Sequence, residues 1–294
     1  MSLGRRKIGI EEEAAWVFNR IAEVYDARPC YPPALIDALA DLAGPAAARI
    51  GDLGAGIGHL ALPLCERGFD VVAIEPARAM LERLRATAAD RGLTLRTVHA
   101  AAELLPLETA SLDLVVIADA LHFMDAQLTG GEVKRVLAPG GRMVIVICEP
   151  AQTPFMRDVV RTIEQAVPRR PRDLTQTIRH LSAVAGVPLT SGQRFDDETP
   201  MDHQRLERLL RSISFIGPAM NPARFAAFRH RVHALCAAPV WARSFFLRSG
   251  RRRTPAPPRT RGEPPTRTRS PGPNLSLLEA QLPGHLPGVP TQVW

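Results

Sequence analysis

Residues 51–59 read GDLGAGIGH and lie between two apolar runs, the pattern of a strand-to-helix turn in which glycine lets backbone N–H groups approach a ligand that a Cβ would keep away. The glycine spacing narrows the choice of ligand. A triphosphate-binding loop needs GxxxxGK followed by Ser or Thr, and neither lysine nor hydroxyl follows these glycines. The dinucleotide fingerprint GxGxxG is met by Gly54 and Gly56 but not at its third position, which is His59, so that reading is weakened and stays open. Glu75 ends the next apolar run, VVAIEP, and a carboxylate at that point accepts hydrogen bonds from both hydroxyls of a ribose. Turn and carboxylate together describe a site for an adenosine-bearing ligand.

Other reactive groups fall where ligands of open α/β sheets collect, beyond the C-terminal ends of strands. Asp119 and His122 lie in ADALHFMD, and Glu149 follows the run that ends at Cys148. Tyr25 and Tyr31, the two tyrosines of the chain, flank Arg28 in a segment ahead of the first strand. The four cysteines, Cys30, Cys65, Cys148 and Cys236, form no CxxC pair. The histidines show no ligand spacing, so neither a metal site nor a disulfide framework is expected.

The elements that must position these groups follow from periodicity. EEEAAWVFNRIAEVYDA carries apolar residues at helical spacing, and Pro32 and Pro33 open a second helix that stops at Gly44. From there the chain alternates. Strands are expected at 48–53, 70–74, 94–98, 113–118 and 142–148, and helices at 57–67, 77–91 and 127–137, which implies a doubly wound, mostly parallel sheet covered on both faces. Beyond Pro150 helices dominate, with QRFDDETP as a possible strand return and VWARSFFLRS as a last, antiparallel strand. The expected organisation is an N-terminal helical lid segment over 1–45, a ligand-binding core over 46–150, a helical cap with closing strands over 151–250, and a tail over 251–294.

The tail holds ten prolines and seven arginines in its 44 residues, a composition expected to remain disordered. It carries +5 of the net +7, leaving +2 for residues 1–250. A near-neutral body argues against a basic nucleic-acid face. No run approaches the ~20 apolar residues of a membrane span, and the first residues lack the apolar segment of a signal peptide, so a cytoplasmic location without membrane contact is expected. Only two of the 37 basic residues are lysine, a skew that points to a GC-rich bacterial genome.

ARIGDLGAGIGHLALPL, VVAIEPARAML, AAAELLPLETASLDLVV, ADALHFMD and EVKRVLAPGGRMVIVI occur in this order. In motif and spacing they resemble the class I S-adenosylmethionine-dependent methyltransferases, most nearly the small-molecule group with the quinone and trans-aconitate methyltransferases. FNRIAEVYDARPCYP is similar to the segment that precedes the fold in that group. The resemblance covers roughly residues 15–150 and runs more faintly to about 250. It implies a Rossmann-like sheet of about seven strands and S-adenosylmethionine as cofactor. Backbone amides around Gly54, Ala55 and Gly56 would approach the methionine part, Asp52 its ammonium group and Glu75 the ribose, while Pro76 and Met80 would line the adenine side. Many relatives have aspartate where this chain has Ala101, so the adenine amino group would turn to Ala102 or Glu103. Asp119 would meet the cofactor's amino end or the acceptor.

Methyl transfer from a sulfonium is an in-line displacement that needs an aligned acceptor and removal of its proton. His122 is the expected base or orienter. Tyr25 would shield the sulfonium, and Arg28, Tyr31 and Glu149 would face the acceptor, a small molecule expected to be methylated on oxygen. The alternatives are a methyltransferase acting on protein or RNA, a cofactor-binding protein that transfers no methyl group, and, more distantly, a nicotinamide-dependent dehydrogenase. A monomer or homodimer is expected.

Overall fold

A computed structural model describes residues 16–168 and 174–254. The expected helix over 11–27 is split within its described part into α1 (Val17–Ile21) and a 3-10 turn (Ala22–Ala27). The segment ends there because Arg28 precedes Pro29, and a residue before proline is driven out of helical backbone. Then follow α2 (Pro33–Ala43), β1 (Arg49–Leu53), α3 (Ala61–Glu66), β2 (Asp70–Ile74), α4 (Arg78–Asp90), β3 (Arg96–Val98) and β4 (Leu112–Ala118). After a 3-10 turn at Leu121–Phe123 come α5 (Ala126–Val136), β5 (Leu137–Pro150), α6 (Pro154–Ala166) and α7 (Leu174–Ala185). The last elements are β6 (Leu189–Pro200), α8 (His203–Ser212), α9 (Pro222–His233) and β7 (Val240–Arg251). Residues 1–15 of the expected lid and 255–294 of the expected tail lie outside the described residues.

One seven-stranded sheet runs in the order β3-β2-β1-β4-β5-β7-β6. Its first five strands pair in parallel, and β7 enters antiparallel between β5 and β6. Alternate residues bury opposite faces. Leu114 and Val116 join the helices α2, α3 and α4, whereas Val115 and Ile117 join α5 and α7. Chain order reverses between β1 and β4, the switch point at which doubly wound sheets open a ligand crevice.

A third apolar cluster holds the cap together: Met156 and Val159 of α6, Leu206 and Leu209 of α8, Phe225 and Phe228 of α9, and Trp241 at the start of β7. Helix α7 departs from the expected cap. Its Leu181 and Ala185 pack on the sheet beside Val133 and Val136 of α5.

Helix α3 starts at Ala61 rather than near residue 57 because Gly58 sits at φ +90°. A Cβ on Gly58 would lie 2.2 Å from Leu84 Cδ1 and 3.1 Å from Leu62 Cγ. Gly58→Ala should therefore destabilise the fold by roughly 2 kcal/mol or more, combining left-handed strain with overpacking. Denaturant unfolding checks this, and a change below ~0.5 kcal/mol, the usual effect of a neutral surface substitution, would show that the turn relaxes freely.

Candidate active site

The glycine turn leaves β1 at Leu53 and is stapled to the end of β2. The N–H groups of Gly54 and Ala55 both donate to the carbonyl of Ile74, at 2.8 and 3.0 Å. Gly54 has φ +81°, and a Cβ there would stand 2.5 Å from the Cβ of Ala120. Glu75 is fixed by the same turn. Its Oε2 accepts the N–H of Gly56 at 2.9 Å and its Oε1 that of Ala77 at 2.8 Å. Each carboxylate oxygen keeps a further lone pair for a ligand. Burial raises the pKa of Glu75, and the two backbone donors oppose the rise.

Asp52 is the second carboxylate beneath the turn. It is 2% exposed, and its Oδ2 is buried without a hydrogen-bond partner among the described residues. Burial, followed by the neighbouring charge of Glu75, pushes its pKa up to about 7, against one backbone donor from Ala61.

Turn and carboxylates open into a cavity of about 290 Å³. Asp52, Gly54, Ala55, Gly56, Glu75 and Pro76 line one end, continued by Ala101, Ala102 and Glu103. Tyr25, Arg28, Tyr31 and Asp119 line it as well, so twelve of the fifteen residues singled out by sequence come together here. Tyr31 O–H donates to Asp119 Oδ2 at 3.1 Å, and the N–H of Cys148 donates to Asp119 Oδ1 at 2.6 Å. Arg28 donates through Nε and Nη2 to the hydroxyl and carbonyl of Ser212 in α8, both at 2.9 Å. Its guanidinium also lies 4.4 Å from the centre of the Tyr25 ring.

The remaining three lie elsewhere. Met80 is fully buried on the inner face of α4, against Ile21, Ala22 and Ala77, one layer behind Pro76. His122 does not line the cavity; its ring packs 3.9 Å from that of Phe123, and Phe123 is the residue of that turn on the cavity wall. Glu149 follows Cys148 along β5, and successive side chains of a strand point to opposite faces; Cys148 takes the cavity side. His122→Ala should accordingly leave cofactor affinity and turnover within about threefold of the unaltered chain. A loss of a hundredfold in single-turnover rate would restore His122 as the base.

Sequence reasoning missed the wall opposite the turn. Leu209 and Ile213 from the α8 region, Trp241 and Arg243 from β7, and Cys148 from β5 complete the cavity. Arg243 is 8% exposed. It donates to the carbonyls of Pro29 and Cys30 at 3.0 and 2.7 Å and to Asp197 Oδ2 at 2.6 Å, tying the segment before α2 to the closing strands. His59 stacks on Tyr25 with ring centres 6.0 Å apart. Burial first, then the charges of Arg28 and Arg243, lower its pKa to about 4, so the imidazole is neutral near pH 7. Its signal was present in the sequence, one residue past the last glycine of the turn.

A glycine turn, a buried carboxylate pinned to it and one cavity lined by both lie at the switch point of the sheet. Residues 51–145 match the family model described as a methyltransferase domain. This segment is similar in sequence to methyltransferase domains. It spans β1 to the middle of β5 and contains the glycine turn, Glu75 and Asp119. An uncharacterised methyltransferase of Mycobacterium tuberculosis is 48% identical over 120 residues, which are 40% of this chain and 46% of that protein. The demethylmenaquinone methyltransferase of Thermus thermophilus is 44% identical over 105 residues, 35% of this chain and 48% of that protein. The chain thus matches about half the length of these curated relatives. A malonyl-(acyl-carrier protein) O-methyltransferase of Geobacter sulfurreducens is 28% identical over 212 residues, 68% of this chain and 78% of that protein. The solved structure of the YcgJ protein of Bacillus subtilis superposes with a TM-score of 0.51 at 19% identity, covering 74% of this chain and 97% of that one, and shares the fold.

Among the described residues, no group of three or more His, Cys, Asp or Glu could hold a metal ion, and no helix is long and apolar enough to cross a membrane.

Proposed function

We propose that this chain is an S-adenosylmethionine-dependent methyltransferase that methylates a small molecule, on oxygen. The observation that carries the reading is the pairing of Glu75 with the glycine turn in one cavity: a buried carboxylate pinned by Gly56 and Ala77, beside a Gly54 whose Cβ position is already closed by Ala120. The residues present fit the cofactor. Glu75 would take the ribose hydroxyls and the backbone of Gly54–Gly56 the methionine part. Asp52, whose Oδ2 lacks a partner, would take the ammonium group, and Ala101, Ala102 and Glu103 the adenine edge. When bound, S-adenosylmethionine supplies a methyl group already activated by its sulfonium.

The rest of the work is alignment and dehydration, and the chain divides it between its two walls. Tyr25 lies against the turn, its ring 3.8 Å from where a Cβ on Gly56 would stand, and an aromatic face favours a neighbouring cation. Pro29, Leu209, Ile213 and Trp241 add apolar surface to the same cavity, whose volume of about 290 Å³ suits a small molecule. The relatives add support: one is named for a demethylated quinone and one for O-methylation.

Incubation with methyl-labelled S-adenosylmethionine and a fractionated mycobacterial extract tests the reading. Label in the low-molecular-mass fraction supports it. Label in protein or RNA moves the acceptor to a macromolecule, and tight cofactor binding with no label in any fraction favours a non-transferring protein.

A further inference from the structure

We propose that Tyr31 and Asp119 form a proton relay for a hydroxyl-bearing acceptor, with Tyr31 touching the acceptor hydroxyl and Asp119 drawing the proton away through it. The inference rests on the methyl-transfer reading above and names the base that reading needs.

Both side chains line the cavity, and they come from parts of the chain 88 residues apart. Asp119 is held with unusual firmness. It stands at φ +52° just past the end of β4, a conformation that costs a non-glycine residue energy and persists where its surroundings enforce it. Its N–H donates to the carbonyl of Val146 at 3.0 Å, and its Oδ1 accepts the N–H of Cys148 at 2.6 Å. The other oxygen, Oδ2, is left for the Tyr31 hydroxyl. Tyr31 is seated in turn, its ring 5.3 Å from that of Phe245 in β7.

The direction of that hydrogen bond sets the chemistry. With its hydrogen committed to Asp119, the Tyr31 oxygen can only accept from a third group, so it selects an acceptor that presents O–H. Burial raises the pKa of Asp119 from its ordinary value, making it a stronger base than an exposed aspartate, and holds the Tyr31 phenol well above its ordinary value, so no phenolate accumulates. The other candidates in the cavity are poorer bases or nucleophiles. His59 is depressed to about 4, and burial raises the Cys148 thiol far from ionisation.

The step balances. The acceptor oxygen bonds to the methyl carbon as the carbon–sulfur bond breaks, its electron pair staying on sulfur. The acceptor proton passes to the Tyr31 oxygen while the Tyr31 proton passes to Asp119 Oδ2. The charge lost by the sulfonium is matched by the charge lost by Asp119, which returns its proton to solvent when product leaves.

Tyr31→Phe, Asp119→Asn and Asp119→Glu are compared with the unaltered chain. Calorimetry with S-adenosylhomocysteine reads the cofactor site, and transfer of labelled methyl into the low-molecular-mass fraction of a mycobacterial extract reads the reaction. The relay predicts cofactor affinities within about threefold, transfer rates lowered about a hundredfold or more in Tyr31→Phe and Asp119→Asn, and partial recovery in Asp119→Glu. It also predicts a rate that falls as pH drops through the Asp119 titration, and an alkali-stable, ether-type product. Near-normal rates in either non-ionising variant, an alkali-labile product that releases methanol, or parallel loss of affinity and rate, the mark of a structural anchor, would overturn it. Cofactor binding with no transfer by the unaltered chain overturns the relay while sparing the cofactor site. Failure of the unaltered chain to bind S-adenosylhomocysteine removes the methyl-transfer reading and the relay with it.

Discussion

Replacing Glu75 by alanine should weaken S-adenosylmethionine binding by about a hundredfold or more, since two charge-assisted hydrogen bonds, each worth ~1.5–3 kcal/mol, are lost together. The substitution reaches further than the ligand. The N–H groups of Gly56 and Ala77 lose their acceptor, so the turn itself loosens. Glu75→Gln separates the two effects, because the amide oxygen can still hold one backbone donor while the charge is gone. Calorimetry decides the matter: unchanged affinity in Glu75→Ala would place the ribose elsewhere.

Asp52→Asn should stabilise the ligand-free protein and weaken its hold on the cofactor. In the folded chain the carboxyl titrates at about 7 because of burial, whereas in the unfolded chain an aspartate titrates near ~3.9. Below the lower value both states are protonated and the substitution changes little. As pH rises between the two values, the unfolded chain releases its proton while the folded one retains it, so the unaltered protein loses stability across that window. Above it the loss levels off near ~4 kcal/mol, taking ~1.4 kcal/mol per unit. The gain from asparagine should therefore grow between about pH 4 and pH 7 and then flatten. Cofactor affinity should run the other way, rising with pH in the unaltered chain as Asp52 ionises opposite the ammonium group, and staying flat in Asp52→Asn. Denaturant curves at three pH values test the first half. Equal stabilities at pH 8 would mean that Asp52 ionises in the native state without penalty.

The parallel core was legible from sequence because each of its elements carries a local signal. Apolar runs of strand length alternate with amphipathic stretches that end at Gly68 and Gly92, and the turn residues around Gly54 and Glu75 sit at the ends of those runs. The errors there are ones of detail with physical causes: a helix delayed by Gly58, and a helix split ahead of Pro29. The second wall of the cavity left no such trace. Arg243 and Trp241 line the same cavity as Cys148 only because β7 inserts antiparallel between β5 and β6, and Leu209 reaches it because α8 packs over the Ala22–Ala27 turn. Those juxtapositions join residues separated by most of the chain, and periodicity does not encode them. For His122, position past a strand end does not fix orientation: a one-residue step around the 3-10 turn puts Phe123, not His122, on the cavity wall.

The clamp made by Arg243 on the carbonyls of Pro29 and Cys30 makes the last strand a support for the segment ahead of α2. The glycine turn, Glu75 and Asp119 lie in one contiguous stretch between β1 and β5, whereas Leu209, Ile213, Trp241 and Arg243 come from a later stretch. An exchange of the later half alone would remove the Arg243 donors and leave the Pro29 and Cys30 carbonyls without them. A chimera exchanged at that boundary should keep the pairing only if its replacement strand carries arginine at this position, so one side chain links two distant pieces of coding sequence.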